Sequence, residues 1–343
     1  YRLMFASLVY KQHRSQQEAQ RVGRQADQHW QASIQAGLKP VGALMSGDHR
    51  PFSISVDNPT LQARHYDISI KPTSTLRLSN VPTSTRVHVD ARSQRQLEGT
   101  LHALPVASPV EDVLKVTVAS AGLGSLELTK SVTVYPRRTI PFLDSRRELD
   151  GALSEWTSEP FASIEKAGLT VHTWLTWDEK NLYLAADVQG PFKPRPAPSV
   201  SNFWGQDSIE LFVDWGNQKN RDYDADDKQF FFAPIGPENG PAYGGHVVRR
   251  RRGDNVDIVD IVSDPRLHTA ARVSEHGYKL EARIPWSFLK DDAKPENSQR
   301  IGVNLAINHP EAPGSPAFMN SLLKLGKKYN TSPDKWPSTI LKK

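Results

Sequence analysis

The sequence contains no cysteine. That absence removes disulfides, thiolate metal sites, covalent haem attachment and cysteine nucleophiles together. It does not fix the compartment. No run of 18 or more apolar residues occurs, so no segment reads as a helix that crosses a bilayer unaided. A broad basic face is also missing. Net charge is +5, and the basic residues are scattered apart from one dense run, Arg249 to Arg252. Nucleic acid is therefore not an expected partner. The eleven histidines are dispersed. There is no H-x-x-x-H pair, no Ser-His-Asp order and no phosphate loop, and no carboxylate pair stands in a catalytic context. The chain is not expected to be an enzyme.

Proline (25) and glycine (21) are plentiful, which favours short strands joined by turns over long helices. With 343 residues, 38% of them hydrophobic, the chain can build two separate cores. The expected class is mainly β.

Tyr1 to Ala36 lacks proline and reads as one helix. Leu3, Met4, Phe5, Ala6, Leu8 and Val9 make an apolar patch, and a polar stretch follows from Lys11 to Gln35. Gly37 and Pro40 are its stop signals. Residues 1–40 are thus expected to form an N-terminal helix. It is either the end of a membrane anchor or signal region, or an amphipathic helix packed on a partner. Membrane proximity through this helix gives a periplasmic or extracellular, membrane-associated location.

From Pro51 to Tyr135 the hydrophobic period becomes two. Phe52, Ile54 and Val56 alternate with polar residues, as do Tyr66, Ile68 and Ile70, then Leu76 and Leu78, then Val87 and Val89. Val116 with Val118 and Val132 with Val134 complete the series, with turn signals such as Asn58-Pro59 and Lys71-Pro72 between. Residues 41–138 are therefore expected to be an immunoglobulin-like β-sandwich acting as a spacer or protein-contact domain. Its opening, Asn58 to Ile70, resembles the β-sandwich spacers that flank extracytoplasmic modules.

Beyond Tyr135-Pro136-Arg137-Arg138, read as a linker, the texture changes, and seven of the eight tryptophans lie after residue 150. Asp150-Gly151-Ala152-Leu153-Ser154-Glu155-Trp156 is an acidic turn leading to an indole. His172 to Val188 reads as a hairpin around Asp178-Glu179-Lys180-Asn181. In Trp204 to Asp214, Ile209, Leu211 and Val213 share one face while Ser208, Glu210 and Phe212 share the other. That alternation presents Glu210 beside Trp204, away from the aliphatics. Trp156, Trp174, Trp177 and Trp286 fall in strand-like alternation and read as core, and Trp215 as an exposed turn residue. Arg249 to Arg252 reads as a charged hairpin, or as a contact for acidic lipid or a partner.

The order D-G-x-L-x-E-W, W-D-E-x-x-L-Y-L and W-x-Q-D-S-I-E-L-F-V-D resembles the family 9 carbohydrate-binding modules. The likeness continues through Asp222 to Phe230, Gly277 to Trp286 and Ile301 to Asn308. It implies an antiparallel β-sandwich over residues 139–343, with a slot between two aromatic side chains that grips a terminal sugar or polysaccharide. Apolar C–H faces of a sugar would stack on indole, and fixed polar groups would read its hydroxyls. The resemblance makes Trp204 the first wall, Glu210 a hydroxyl-binding carboxylate, and Gln206 and Asp207 the polar start of that strand. Two departures stand out. The arginine expected in the strand after the aspartate-rich turn falls at Phe231, and the second wall is left to Tyr329, Trp336 matching a core aromatic better. Both losses should weaken a sugar site by roughly 2–4 kcal/mol. Asp222, Asp224, Asp226 and Asp227 suit a structural calcium ion in a β-loop, with a solvated acidic loop as the alternative. The expected function is a non-catalytic, extracytoplasmic carbohydrate-binding protein. The alternatives are a structural subunit of a membrane complex and the sensor domain of a membrane receptor.

Overall fold

In the computed structural model, which describes residues 34–38, 43–166, 168–196, 199, 204–252, 255–310, 317–321, 323 and 330–343, the period-two runs become strands. No α-helix occurs among the described residues. The chain divides into two compact units between Tyr135 and Pro136.

The first unit holds β1 (Gln35–Leu38), β2 (Ala43–Met45), β3 (His49–Asn58), β4 (Arg64–Lys71), β5 (Leu76–Ser79), β6 (Ser84–Val89), β7 (Ser93–Ala103), β8 (Val110–Ser120) and β9 (Gly124–Tyr135). They form two sheets, in the orders β1-β3-β7-β5 and β2-β9-β8-β4-β6. One core lies between them, built from Phe52, Ile54, Val56, Tyr66, Ile68, Ile70, Val116, Val118, Val132 and Val134 among others. These are the apolar members of the alternation, as a sandwich with one buried face per sheet requires.

The expected helix is corrected where it can be seen. Gln35 and Ala36 belong to β1, which pairs antiparallel with β3, Gln35 opposite Asp57 and Leu38 opposite Ile54. Leu38 enters the core. Sheet hydrogen bonds and that burial outweigh the weak helical tendency of a stretch holding Gly37. Ile34, just before β1, packs against the same core and is not helical, and the rest of the expected helix, residues 1–33, lies outside the described residues.

The second unit holds β10 (Thr139–Pro141), β11 (Ala162–Lys166), β12 (Leu169–Trp177), β13 (Asn181–Gln189), β14 (Ser208–Asp214), β15 (Asp227–Ala233), β16 (Tyr243–Arg252), β17 (Asn255–Ser263), β18 (His268–Ser274), β19 (Gly277–Pro285), β20 (Arg300–Pro310), β21 (Ala317–Ser321) and β22 (Ser338–Lys342). One sheet runs β10-β22-β20-β14-β15-β16-β17, with β21 also paired to β20. The other runs β11-β12-β13-β19-β18. The predicted hairpin is β12–β13, with Asp178 Oδ1 accepting from the Lys180 and Asn181 amides in its turn, both at 2.7 Å.

Between the two sheets lie aromatic contacts. Trp286, after β19, meets Trp177 of β12 at 6.5 Å and Trp215, after β14, at 5.4 Å between ring centroids. Trp215 is buried rather than exposed, because this stack takes it up. At the β18–β19 turn, Gly277 has φ +125° and a Cβ there would lie 1.9 Å from the Val188 carbonyl oxygen, so only glycine fits.

Candidate functional site

Strand β14 is buried along its whole length. Its Ile209, Leu211 and Val213 side chains share one face and Ser208, Glu210 and Phe212 the other, since successive residues of a strand alternate. Register then decides who meets Glu210. Ser208 lies opposite Asn308 of β20, and Phe212 opposite both Asn304 of β20 and Gln229 of β15. Glu210 lies opposite Ala306 and Phe231. Small Ala306 leaves room for the asparagines that flank it.

The result is a polar constellation from four neighbouring strands. Asn308 Nδ2 donates to Glu210 Oε1 at 2.8 Å and lies 3.0 Å from Ser208 Oγ. Gln229 Nε2 donates to Glu210 Oε2, and an Arg249 guanidinium nitrogen donates to Gln229 Oε1. The Arg249 guanidinium stacks on Tyr223, 3.7 Å from the ring centroid. Glu210 is fully buried. Burial pushes its carboxyl up to about 7, against the opposing hydrogen bonds from Asn308 and Gln229 and the charge of Arg249. Burial likewise holds Arg249 below its ordinary value.

Three amide atoms around this constellation are buried without a hydrogen-bond partner: Gln206 Oε1, Asn304 Nδ2 and Asn308 Oδ1. Buried polar atoms are ordinarily satisfied, and the two asparagine orphans share the Glu210 face of β20, so a water or a ligand hydroxyl could meet them there. Gln206 is fixed by its other end, with Nε2 2.6 Å from Tyr243 Oη.

The aromatic side of the site is Trp204. It is half-buried and packs with Tyr243 and Ile261 on Phe231 and Val247. Phe231 lies directly across β14 from Glu210 and across β16 from Gly245. A Cβ at Gly245 would come within 2.3 Å of the Phe231 ring, so this glycine lets the ring lie flat over β16. Phe231 thereby links Trp204 to Glu210.

Not every predicted residue joins them. Asp207 Oδ1 pairs with His309 Nδ1 at 2.7 Å, and its Oδ2 accepts the Arg195 amide at 3.1 Å. It anchors a loop and is not part of the Glu210 constellation. Tyr329 lies outside the described residues. Trp336 is fully buried against Phe212 and Tyr223 and is core. Glu210 is on the expected face but lies wholly beneath the surface, which face parity alone does not reveal.

Arg249 is the residue that sequence reasoning misplaced. It was expected in a charged hairpin, and β16–β17 is a hairpin, yet the Arg249 side chain turns into the site. The signal was present: alternation from Tyr243 through Gly245 and Val247 carries Arg249 to the same face. A guanidinium therefore reaches Gln229 of β15 from β16, while Phe231 stands on β15 where the resemblance implied an arginine.

The acidic turn is internally bonded. Asp224 accepts from Asn220 Nδ2 at 2.7 Å and from the Asp226 amide at 3.2 Å. Asp226 accepts from Gln218 Nε2 at 2.9 Å, and Asp227 Oδ2 accepts the Asp224 amide at 2.8 Å. Asp222 is exposed. Asp227 is buried, with Oδ1 unpartnered. Burial pushes it up to about 7, and Asp214, Asp224 and Asp226 add to the push. Among the described residues no group of three or more His, Asp or Glu side chains is placed to hold a metal ion.

A family model described as "Carbohydrate family 9 binding domain-like" matches residues 155–343. Over 196 residues, 56% of this chain, the sequence is 30% identical to endo-1,4-beta-xylanase A of Thermotoga neapolitana, spanning 16% of that protein. It is also 30% identical over 194 residues to endo-1,4-beta-xylanase A of Thermotoga maritima, again 16% of its length. A solved family 9 carbohydrate binding module from Caldicellulosiruptor kristjanssonii, in complex with cellotriose, is 20% identical with a TM-score of 0.43, covering 60% of this chain and 93% of that one. A module of the same description and organism in complex with glucose is 21% identical, with a TM-score of 0.43, covering 60% of this chain and 96% of that one.

Proposed function

This chain belongs to the carbohydrate family 9 binding domain-like family, and from that premise we propose that it binds a terminal sugar, without catalysis, on the Glu210 face of its second unit. The observation that carries the reading is the set of unpartnered amide atoms, Gln206 Oε1, Asn304 Nδ2 and Asn308 Oδ1, around a carboxylate held by Asn308 and Gln229. Sugar hydroxyls both donate and accept, so they satisfy orphans of either sign. Trp204 offers an indole for the C–H face. Arg249 acts one step back, orienting Gln229.

Glucose and cellotriose, which the solved modules carry, are the first ligands to test. Calorimetry should give millimolar or tighter binding, weakened at least tenfold by Trp204→Ala and by Glu210→Gln. No heat with any hexose or cello- or xylo-oligosaccharide at millimolar concentration overturns the reading.

The first unit, as an immunoglobulin-like spacer, would hold this module away from its attachment point, in the periplasm or outside the cell. Cell fractionation tests that placement. For the acidic turn, the proposal is that calcium relieves the crowded charge at Asp227. Thermal stability should then rise with millimolar calcium in the wild type and not in Asp227→Asn.

A further inference from the structure

The sheet away from Glu210 carries a second concentration of charge. Antiparallel pairing sets Arg283 of β19 between Tyr183 of β13 and His268 of β18. Arg283 is 8% exposed. Its guanidinium has no ion pair and no hydrogen bond among the described residues. A buried arginine ordinarily finds a carboxylate. Here burial first, and the cation Arg146 second, hold Arg283 below its ordinary value, against the smaller opposing pull of Tyr183 and Asp178. Burial, then Arg283 and Arg146, do the same to His268.

The nearby acids are engaged elsewhere. Asp178 accepts from Tyr183 Oη at 2.6 Å and from the turn amides. Glu179 faces Lys343 at 3.6 Å. Arg266 is neutralised by Asp264 at 2.7 Å. Among the described residues, Arg146 and Arg283 are left without a direct ion pair or hydrogen bond of their own, with exposed Asp144 at the rim.

Both arginines line a cavity of about 710 Å³, between residues 142–146, the β12–β13 turn and the end of β19. That volume suits a small organic molecule rather than a bare ion. A second cavity of about 490 Å³ shares Phe142, Asp144 and Lys343 with it and adds Trp174. The groove therefore has a cationic end and an aromatic end.

We propose that this groove is a second ligand site, for a saccharide bearing a carboxylate, which would sit between Arg146 and Arg283 while its sugar ring runs past Lys343, whose ammonium covers the Phe142 ring at 4.3 Å, towards Trp174. The site uses none of the Glu210 residues, so the two readings stand or fall separately.

Calorimetry of the full chain with glucuronate, glucose and acetate tests it. Glucuronate should bind, and Arg146→Ala and Arg283→Met should each weaken it at least tenfold while leaving the glucose response unchanged. Arg146 is exposed, so its variant carries the test even if Arg283→Met folds poorly. In the wild type, glucuronate should raise the NMR-measured pKa of His268, and glucose should not. The proposal is overturned if glucuronate does not bind, if Arg146→Ala leaves its affinity unchanged, or if acetate binds as tightly, which would make the site a simple anion trap.

Discussion

Glu281 and Glu210 lie on different sheets of the second unit, and each is fully buried with its carboxyl raised chiefly by burial. Their hydrogen-bond partners, however, are of different kinds. Glu281 accepts from Trp156 Nε1 and the Gly151 amide at 2.7 Å and from the Asp150 amide at 2.9 Å. Its lone pairs are filled by groups that point nowhere else, and Arg147 closes the far face of Trp156 at 4.3 Å. Glu210 is held by side-chain amides instead, and those amides belong to a neighbourhood with unpartnered atoms. A buried acid closed by backbone N–H and indole is a latch. One ringed by under-satisfied amides leaves hydrogen bonds for a water or a ligand to make, which is the role proposed for Glu210.

The largest effect that would break this contrast is at Glu281. Glu281→Ala strands an indole N–H and two backbone N–H groups, at least one of them deeply buried, and should cost about 3–5 kcal/mol. Urea unfolding measures it. A loss below about 1 kcal/mol would mean that the latch carries no load. Gly151→Ala attacks the same latch from the backbone. Gly151 has φ +72°, and a Cβ there would lie 2.8 Å from the Ala271 carbonyl carbon and 2.9 Å from the Arg272 nitrogen. The turn must then lift off β18, at a cost of about 2 kcal/mol in the same unfolding experiment.

At Glu210 the order of effects should reverse. Glu210→Gln keeps the shape and loses the charge, so stability should shift by less than about 1 kcal/mol. Sugar affinity should fall at least tenfold, about 1.4 kcal/mol or more. Stability and affinity measured on the same preparation decide it. If Glu210→Gln unfolds the protein as Glu281→Ala does, both acids are latches.

Much of this arrangement was legible in the sequence. The alternation Phe52, Ile54, Val56 and Tyr66, Ile68, Ile70 named two core strands outright, because a sandwich buries one face of each. Parity in β14 put Glu210 on the correct side. The acidic turn before Trp156 was visible too, but its role was not, since Glu281 lies 125 residues from Trp156 and only sheet pairing brings them together. β7 was missed because Ser93 to Gln96 are polar and exposed or half-exposed, and its apolar positions begin only at Leu97. The N-terminal stretch misled at Gln35 and Ala36, where edge pairing with β3 overrode local tendency. Arg249 was hidden by its neighbours: a run of four arginines reads as a charged hairpin, and only counting faces along β16 sets Arg249 apart from Arg250 beside it.

The smallest predicted effect is the pH dependence of stability. Glu210 holds its proton up to about 7 in the folded chain, well above the ordinary value of 4.5. The unfolded chain releases that proton earlier. The stabilisation linked to it is therefore complete below the unfolded pKa and is lost as pH rises through about 7. Asp227, pushed from 3.8 to about 7, acts with the same sign. Stability should decline between pH 4 and 8, each group contributing on the order of 1 kcal/mol after relaxation of its surroundings. Glu210→Gln and Asp227→Asn should each remove part of that slope in urea unfolding followed across this range. A sugar whose hydroxyls donate to Glu210 favours the ionised carboxylate, so saturating glucose should raise the melting temperature more at pH 8 than at pH 5. The latch should offer no such coupling, because Trp156 and two backbone amides already donate to Glu281. A glucose-induced rise that is equal at both pH values, or a slope undiminished in Glu210→Gln, would place the proton elsewhere and leave the two acids alike.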